Sequence, residues 1–238
     1  MMLIPNLSDR ANACGNQEAL LALGVEQAQR LGFDFFTLGY KHMSSFSAPE
    51  VQFISNYPMA WLQEYASSGY IATDPTLLKA AKTSKPVVWS TQFFENTPAL
   101  WAAANSHGIN HGCALATSNA LGDMGLLVLA RRAGDITAKE LTTITSFMTA
   151  TAHILFERIL FLTGHGSEHV EENRRSKLSG REVEILRYTA DGKTSQDISQ
   201  LLDISERTVA FHINNILLKF SVPNKTAAVA RAVVQGLI

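Results

Sequence analysis

Apolar and polar positions change rhythm along this chain, and the rhythm divides it. Over residues 16–162, apolar runs of strand length alternate with stretches of helical spacing. Asn16 caps a helix to about Leu31, with Leu20, Val25 and Ala28 among its apolar positions, and Gly32 ends it. Residues 33–40 are rich in aromatics and read as a buried strand; a polar loop at 44–49 leads to a second strand at 51–55. Pro58 stands at the first turn of a helix through Ser67, and Asp74-Pro75 starts another that ends near Thr83. Residues 86–89 form a short strand, and Pro98 opens a helix to about His107. Strands at 112–117 and 125–130 are joined by a tight turn at 119–123, which predicts an antiparallel pair. Thr137 with Glu140 is a capping box ahead of a long helix to Leu162. Residues 1–15 read as loosely ordered. The expected fold of residues 1–162 is an α/β/α sandwich around an antiparallel sheet.

Residues 163–177 hold almost no apolar side chain and read as a linker. Residues 178–238 are all helical in pattern. Ser179 with Glu182, and Thr194 with Asp197, are capping boxes; Gly192 stops the first helix, and Ile198, Leu201 and Leu202 give the second an apolar face. After a short turn at Asp203-Ile204, Ser205 caps a third helix, 206–220. Val209, Ile213, Ile216, Leu217 and Phe220 fall on its inward face, while Arg207, Ala210, Phe211, Asn214 and Leu218 fall on the opposite stripe. Helix, tight turn and helix with an exposed polar face make a helix-turn-helix of the right width for a DNA major groove; a small helical packing module is the plainer alternative. Asn224 caps a fourth helix, where Ala227, Ala230, Val233 and Val234 make a small apolar face suited to dimer contact or to covering its own domain.

Charge supports the division. Net charge is −1 over 238 residues, but residues 1–173 carry 10 basic and 15 acidic side chains, net −5, and residues 174–238 carry 10 and 6, net +4. Nucleic acid prefers the second part. The chain opens on no signal-peptide pattern, and its most apolar long stretch is interrupted by Glu157 and Arg158, so neither secretion nor a membrane span is expected. Two cysteines, Cys14 and Cys113, are too few for a disulfide framework. The expected compartment is the cytoplasm.

Leu178, Arg181-Glu182, Leu186, Ala190, Gly192-Lys193, Ile198, Ser205, Thr208-Val209, His212, Asn215-Ile216, Lys219-Phe220 and Asn224-Lys225 form a long ordered pattern. It resembles the DNA-binding domain of the LuxR-type quorum-sensing transcription regulators. The resemblance implies a homodimer on double-stranded promoter DNA, with RNA polymerase a further partner. The DNA-binding candidates are Lys193, Thr194, Ser205, Arg207, Thr208, Ala210, Phe211, Asn214, Lys219 and Lys225. Asn214 has the amide for a bidentate adenine contact, and Lys193, Thr208, Lys219 and Lys225 suit phosphates. Many relatives carry a basic residue at the place of Ala210, so their base preference does not transfer.

In the first half, Tyr57, Trp61 and Tyr65 are spaced by four, and Tyr70, Asp74 and Trp89 follow. An aromatic stripe is usually core, and an Asp before Pro is usually a cap. A pocket of such residues would be apolar, yet would offer Trp N–H and Tyr O–H donors and a carboxylate acceptor. A ligand with a carbonyl, an amide N–H and an alkyl tail matches that set. The order Tyr-Pro-x-x-Trp-x-x-x-Tyr, Asp-Pro, Trp, then Gly112 is similar to the autoinducer-binding domain of the same family. The ligand this implies is an N-acyl-homoserine lactone: Trp61 on the ring carbonyl, Asp74 on the amide N–H, Tyr57 on the amide carbonyl, Trp89 and Trp101 around the lactone. Leu38, Tyr65, Ile109, Leu115 and Leu126 are candidates for the tail region. Several relatives carry a hydroxyl residue where this chain has Val128, so either Tyr57 alone serves the amide carbonyl or the ligand differs. No cofactor is expected.

Enzymatic readings find less support. His107, His111 and Cys113 suggest a metal site, but Gly108 and Gly112 interrupt any helix that would align them. Phosphate-loop and nucleophile-elbow patterns are absent. The first 160 residues lack the acidic cluster of a response-regulator receiver.

Overall fold

The computed structural model describes residues 6–42, 50–119, 122–164, 178–234 and 237–238. These fall into two compact units, the sheet with its helices and the C-terminal helices. The loop expected at 44–49 and most of the linker expected at 163–177 lie outside the described residues.

The first unit runs α1 (Leu7–Ala13), α2 (Gln17–Arg30), β1 (Phe35–His42), β2 (Glu50–Ser55), α3 (Met59–Ser67), a 3-10 turn (Tyr70–Ala72), α4 (Pro75–Ala80), β3 (Val87–Val88), α5 (Pro98–Ser106), β4 (His111–Ser118), β5 (Met124–Arg131) and α6 (Ala138–Leu162). The five strands lie in the order β2-β1-β5-β4-β3, every pairing antiparallel. The Thr137–Glu140 capping box is present. The expectation of loose order before residue 16 is corrected by α1. Leu7 and Ala11 are buried in the core, and Arg10 pairs with Glu26 of α2, so tertiary contact rather than local pattern holds this short helix.

Alternation along the strands assigns one side chain to each face. Leu38 and Tyr40 of β1, Cys113 and Leu115 of β4, and Leu127 and Leu129 of β5 join α1, α2 and α6 in the main core. Phe35 and Ala130 face the other way, toward Trp61, Phe94, Leu100, Ala104 and Ile109. Two glycines admit rings to the sheet: a Cβ on Gly125 would lie 2.6 Å from Phe156, and one on Gly112 2.5 Å from Trp89.

The second unit comprises α7 (Gly180–Ala190), α8 (Ser195–Leu202), α9 (Glu206–Phe220) and α10 (Lys225–Val234). Capping boxes at Ser179–Glu182 and Thr194–Asp197 open α7 and α8, and Ser205 caps α9. Asp203 takes a left-handed φ of 50° to turn the chain between α8 and α9, a conformation its short polar side chain tolerates. Arg181 donates to the Leu202 carbonyl at 2.7 Å, tying that turn to α7. Ile185, Ile198, Val209 and Ile213 form one core cluster; Leu186, Ile216, Phe220, Ala228 and Ala232 form another.

Candidate functional site

The pocket lies on the face of the sheet away from α2 and α6. Its cavity volume is about 140 Å³, and it opens to solvent. Tyr57, Trp61, Tyr65, Asp74, Trp89, Trp101, Ile109, Leu126 and Val128 all line it. Leu38 and Leu115 do not: both are buried in the core on the opposite face. Strand phase is the reason. Phe36, Leu38 and Tyr40 share the α2 side, so Thr37 and Gly39 look into the pocket instead. The alternation of large apolar residues with Thr and Gly in Phe-Thr-Leu-Gly-Tyr was the available signal for these two missed lining residues.

Aromatic packing builds the walls. Trp61 and Tyr65, one turn apart on α3, meet edge to face at 5.5 Å, and Tyr70 stacks on Trp61 at 6.2 Å. On the other side Trp101 stacks on Phe94 at 4.6 Å, with Trp89 edge-on to Phe94 at 6.0 Å.

Asp74 is both cap and pocket residue. Its Oδ1 accepts from the Thr76 N–H at 2.7 Å, opening α4, and its Oδ2 accepts from the Tyr65 hydroxyl at 3.0 Å. Burial raises its pKa, against the lowering effect of these bonds. Burial first, and then the Asp74 charge, push the Tyr57 and Tyr65 phenols above their usual range, so both remain donors. Val128 sits in cross-strand register with Thr37. The Thr37 hydroxyl lies 2.6 Å from that of Ser55, which also accepts the Tyr57 backbone N–H at 3.1 Å. A hydroxyl therefore stands directly across the ladder from the valine.

The histidines considered for a metal have other partners. His107 Nε2 is 2.7 Å from Glu64, and His111 Nδ1 is 3.0 Å from Asp135. Cys113 is in the core on the far face of the sheet, where burial pushes its thiol up to about 12. Among the described residues, no group of three His, Cys, Asp or Glu could hold a metal ion. Among them too, no helix is long and apolar enough to cross a membrane.

On α9 the division of faces is as the pattern predicts. Val209, Ile213, Ile216 and Phe220 are buried, and Arg207, Ala210, Phe211, Asn214 and Leu218 are exposed. Lys193 and Lys225 are exposed, whereas Thr194 and Ser205 each accept a helix-capping N–H and Thr208 is hydrogen-bonded with Ser205. Lys219 differs from the expectation of a plain phosphate contact. Its Nζ is 2.7 Å from Oε2 of Glu182, a residue only 3% exposed. Burial works to raise the Glu182 pKa, but Lys219 and the Ser179 N–H hold it below the usual range. On α10, Ala228 and Ala232 cover their own domain, and Val233 is exposed.

Residues 16–159 match the family described as an autoinducer binding domain, and residues 176–232 match the luxR family of bacterial regulatory proteins. The chain is 38% identical over 213 residues to the transcriptional activator SolR of Ralstonia nicotianae, covering 88% of each. It is 35% identical to the quorum-sensing regulator RhlR of Pseudomonas aeruginosa, covering 94% of this chain and 91% of that one. The crystal structure of Escherichia coli SdiA aligns with a TM-score of 0.69 at 31% identity, over 96% of this chain and 94% of SdiA. The pocket, the helix-turn-helix and these matches identify the chain as a member of the LuxR family of transcription regulators, with an autoinducer-binding domain followed by a DNA-binding domain.

Proposed function

We propose that this regulator is a cytoplasmic sensor of an N-acyl-homoserine lactone and, as a homodimer, reads a roughly palindromic promoter site through α9. The domains are residues 1–162 for the ligand and 178–238 for DNA and dimer contact, joined by 163–177. The observation that carries the ligand assignment is the polar set in an otherwise apolar pocket. Tyr57, Trp61 and Asp74 supply two kinds of donor and one carboxylate acceptor to the same cavity. That set fits a ring carbonyl, an amide carbonyl and an amide N–H, and leaves an apolar remainder for an acyl tail. Thr37 stands where a second donor for the amide carbonyl is needed and Val128 has none. A solved structure shows SdiA in complex with octanoyl-rac-glycerol, so an acyl glycerol is the second reading of the ligand.

On the DNA side, Arg207, Ala210, Phe211 and Asn214 face base edges, with Lys193, Thr208 and Lys225 on phosphates and the starts of α8 and α9 nearby. RNA polymerase is the partner of the bound dimer. The test compares two variants by binding titration across salt concentrations. Asn214→Ala is expected to relax preference at one base pair by roughly 1–3 kcal/mol. Lys225→Ala is expected to weaken all sequences alike and to lower the salt slope by about one. Equal losses of sequence preference in both variants would contradict the division of roles.

A further inference from the structure

Trp61 brings an N–H donor to the pocket, and three rings pack against its indole. Tyr65 meets it edge to face at 5.5 Å, Tyr70 stacks on it at 6.2 Å, and His107 lies tilted against it at 5.7 Å. Packing of this kind sets the direction in which the N–H points. Two of the three rings are tethered in turn by a carboxylate. The Tyr65 hydroxyl donates to Asp74 at 3.0 Å, inside the pocket. The second tether lies outside it: His107 Nε2 is 2.7 Å from Oε2 of Glu64. An imidazole that carries its proton on Nε2, whether neutral or charged, donates to a carboxylate there. Glu64 and His107 are both partly exposed, and neither lines the pocket.

Local structure brings the three residues together. Glu64 follows Trp61 by three positions on α3, so the two are neighbours on the helix surface. His107 is the C-cap of α5, and Gly108, with a φ of 76°, turns the chain there. Ile109 then enters the pocket wall. The end of α5 thus meets α3 twice through one side chain, with its ring on Trp61 and its nitrogen on Glu64. A partly exposed pair of this kind adds little to stability. It is well placed for orientation, because a functional side chain is held in its productive geometry by supporting hydrogen bonds behind it.

We propose that the Glu64–His107 hydrogen bond positions Trp61: it holds the imidazole against the indole and so aims the N–H at the ring carbonyl of the ligand. Two residues outside the pocket then determine head-group specificity, as positioning residues that act through Trp61. The inference rests on the lactone reading above and adds the support that reading needs for its donor.

The test compares homoserine lactones bearing butanoyl, octanoyl and dodecanoyl chains with the matching N-cyclopentyl amides. The amides keep the amide group and the tail but have no ring carbonyl. Binding is measured on the full-length parent, Glu64→Gln, Glu64→Leu, Trp61→Phe and the double variant Glu64→Leu/Trp61→Phe, with melting temperatures without ligand as a check on folding. The parent is expected to prefer lactone to cyclopentyl amide. Glu64→Leu is expected to lower that preference about fivefold, the worth of one hydrogen bond, by weakening the lactone and not the amide. Glu64→Gln, whose amide oxygen still accepts from Nε2–H, should keep the preference. In the Trp61→Phe background, Glu64→Leu should cost nothing more. An unchanged preference in Glu64→Leu, an equal loss for both compounds, a Glu64→Gln as impaired as Glu64→Leu, or a full further loss in the double variant overturns the proposal. A parent that does not prefer lactone to cyclopentyl amide, or binds neither, overturns the assignment of Trp61 to a ring carbonyl, and the proposal with it.

Discussion

Asp74→Asn is expected to raise the ligand concentration needed for half-maximal response about tenfold or more, because a hydrogen bond to a charged acceptor is worth about 1.5–3 kcal/mol. Stability without ligand should change little. Asparagine caps helices as well as aspartate does, and the Thr76 N–H and the Tyr65 hydroxyl can both adapt to an amide. The variant therefore separates the two roles of the residue, whereas Asp74→Ala would remove both together. A pH profile gives a second signature. A ligand N–H favours the ionised carboxylate, so affinity in the parent falls as pH drops through the Asp74 pKa. Burial has raised that pKa, so the loss begins at higher pH than for an exposed aspartate, and Asp74→Asn should abolish it. Trp61→Phe, which keeps a ring and removes an N–H, should behave like Asp74→Asn in the dose-response. Thr37→Val should have a smaller effect, about fivefold, the worth of one neutral hydrogen bond. If Asp74→Asn and Trp61→Phe respond like the parent, the two residues are only cap and core.

Lys219→Ala is expected to destabilise the DNA-binding domain, by about 3 kcal/mol, since removing one partner of a buried pair leaves the other charge uncompensated. Glu182 is that other charge. It is 3% exposed, and it also accepts from the Ser179 N–H to hold the start of α7. Hydrogen-exchange protection in α7 and α9 should fall together. Adding Glu182→Gln should recover part of the loss by removing the unpaired charge. The pair also has an acid limit. The folded-state pKa of Glu182 is depressed, so its contribution is full above the ordinary carboxylate pKa. It is lost as pH falls through the lower, folded value. A Lys219→Ala protein as well protected as the parent, but with a smaller salt slope on DNA, would make Lys219 a phosphate contact and not a support.

What the sequence makes legible depends on how far apart the interacting residues lie. The three capping boxes, at Thr137, Ser179 and Thr194, are local, and each is present where the spacing puts it. The two faces of α9 follow from one helical period. Glu182 shows the boundary of such reasoning. As the third residue of α7 it is readable, but its pairing with Lys219, 37 positions on, requires the packed domain. Helix α1 is invisible for the same reason, because its support comes from α2 and α6. For the pocket, spacing puts Tyr57, Trp61 and Tyr65 on one helix face and makes Asp74 a cap, and it is the family resemblance that assigns them to a ligand. On the strands, Leu126 and Val128 of β5 line the pocket, whereas Leu38 and Leu115 are one residue out of phase on β1 and β4 and so lie on the opposite face of the sheet. Thr37 and Gly39 carry no apolar signal of their own, and only the register with β2 and β5 places them at the cavity.

The most direct test of a lactone-binding pocket is to weigh what it holds. The full-length protein is expressed in cells that make or are given a mixture of acyl-homoserine lactones, purified, and extracted for mass spectrometry. The expected result is an N-acyl-homoserine lactone at close to one molecule per chain in the parent, and much less in Asp74→Asn. A parent that copurifies with no small molecule, or with an acyl glycerol in place of any lactone, contradicts the account.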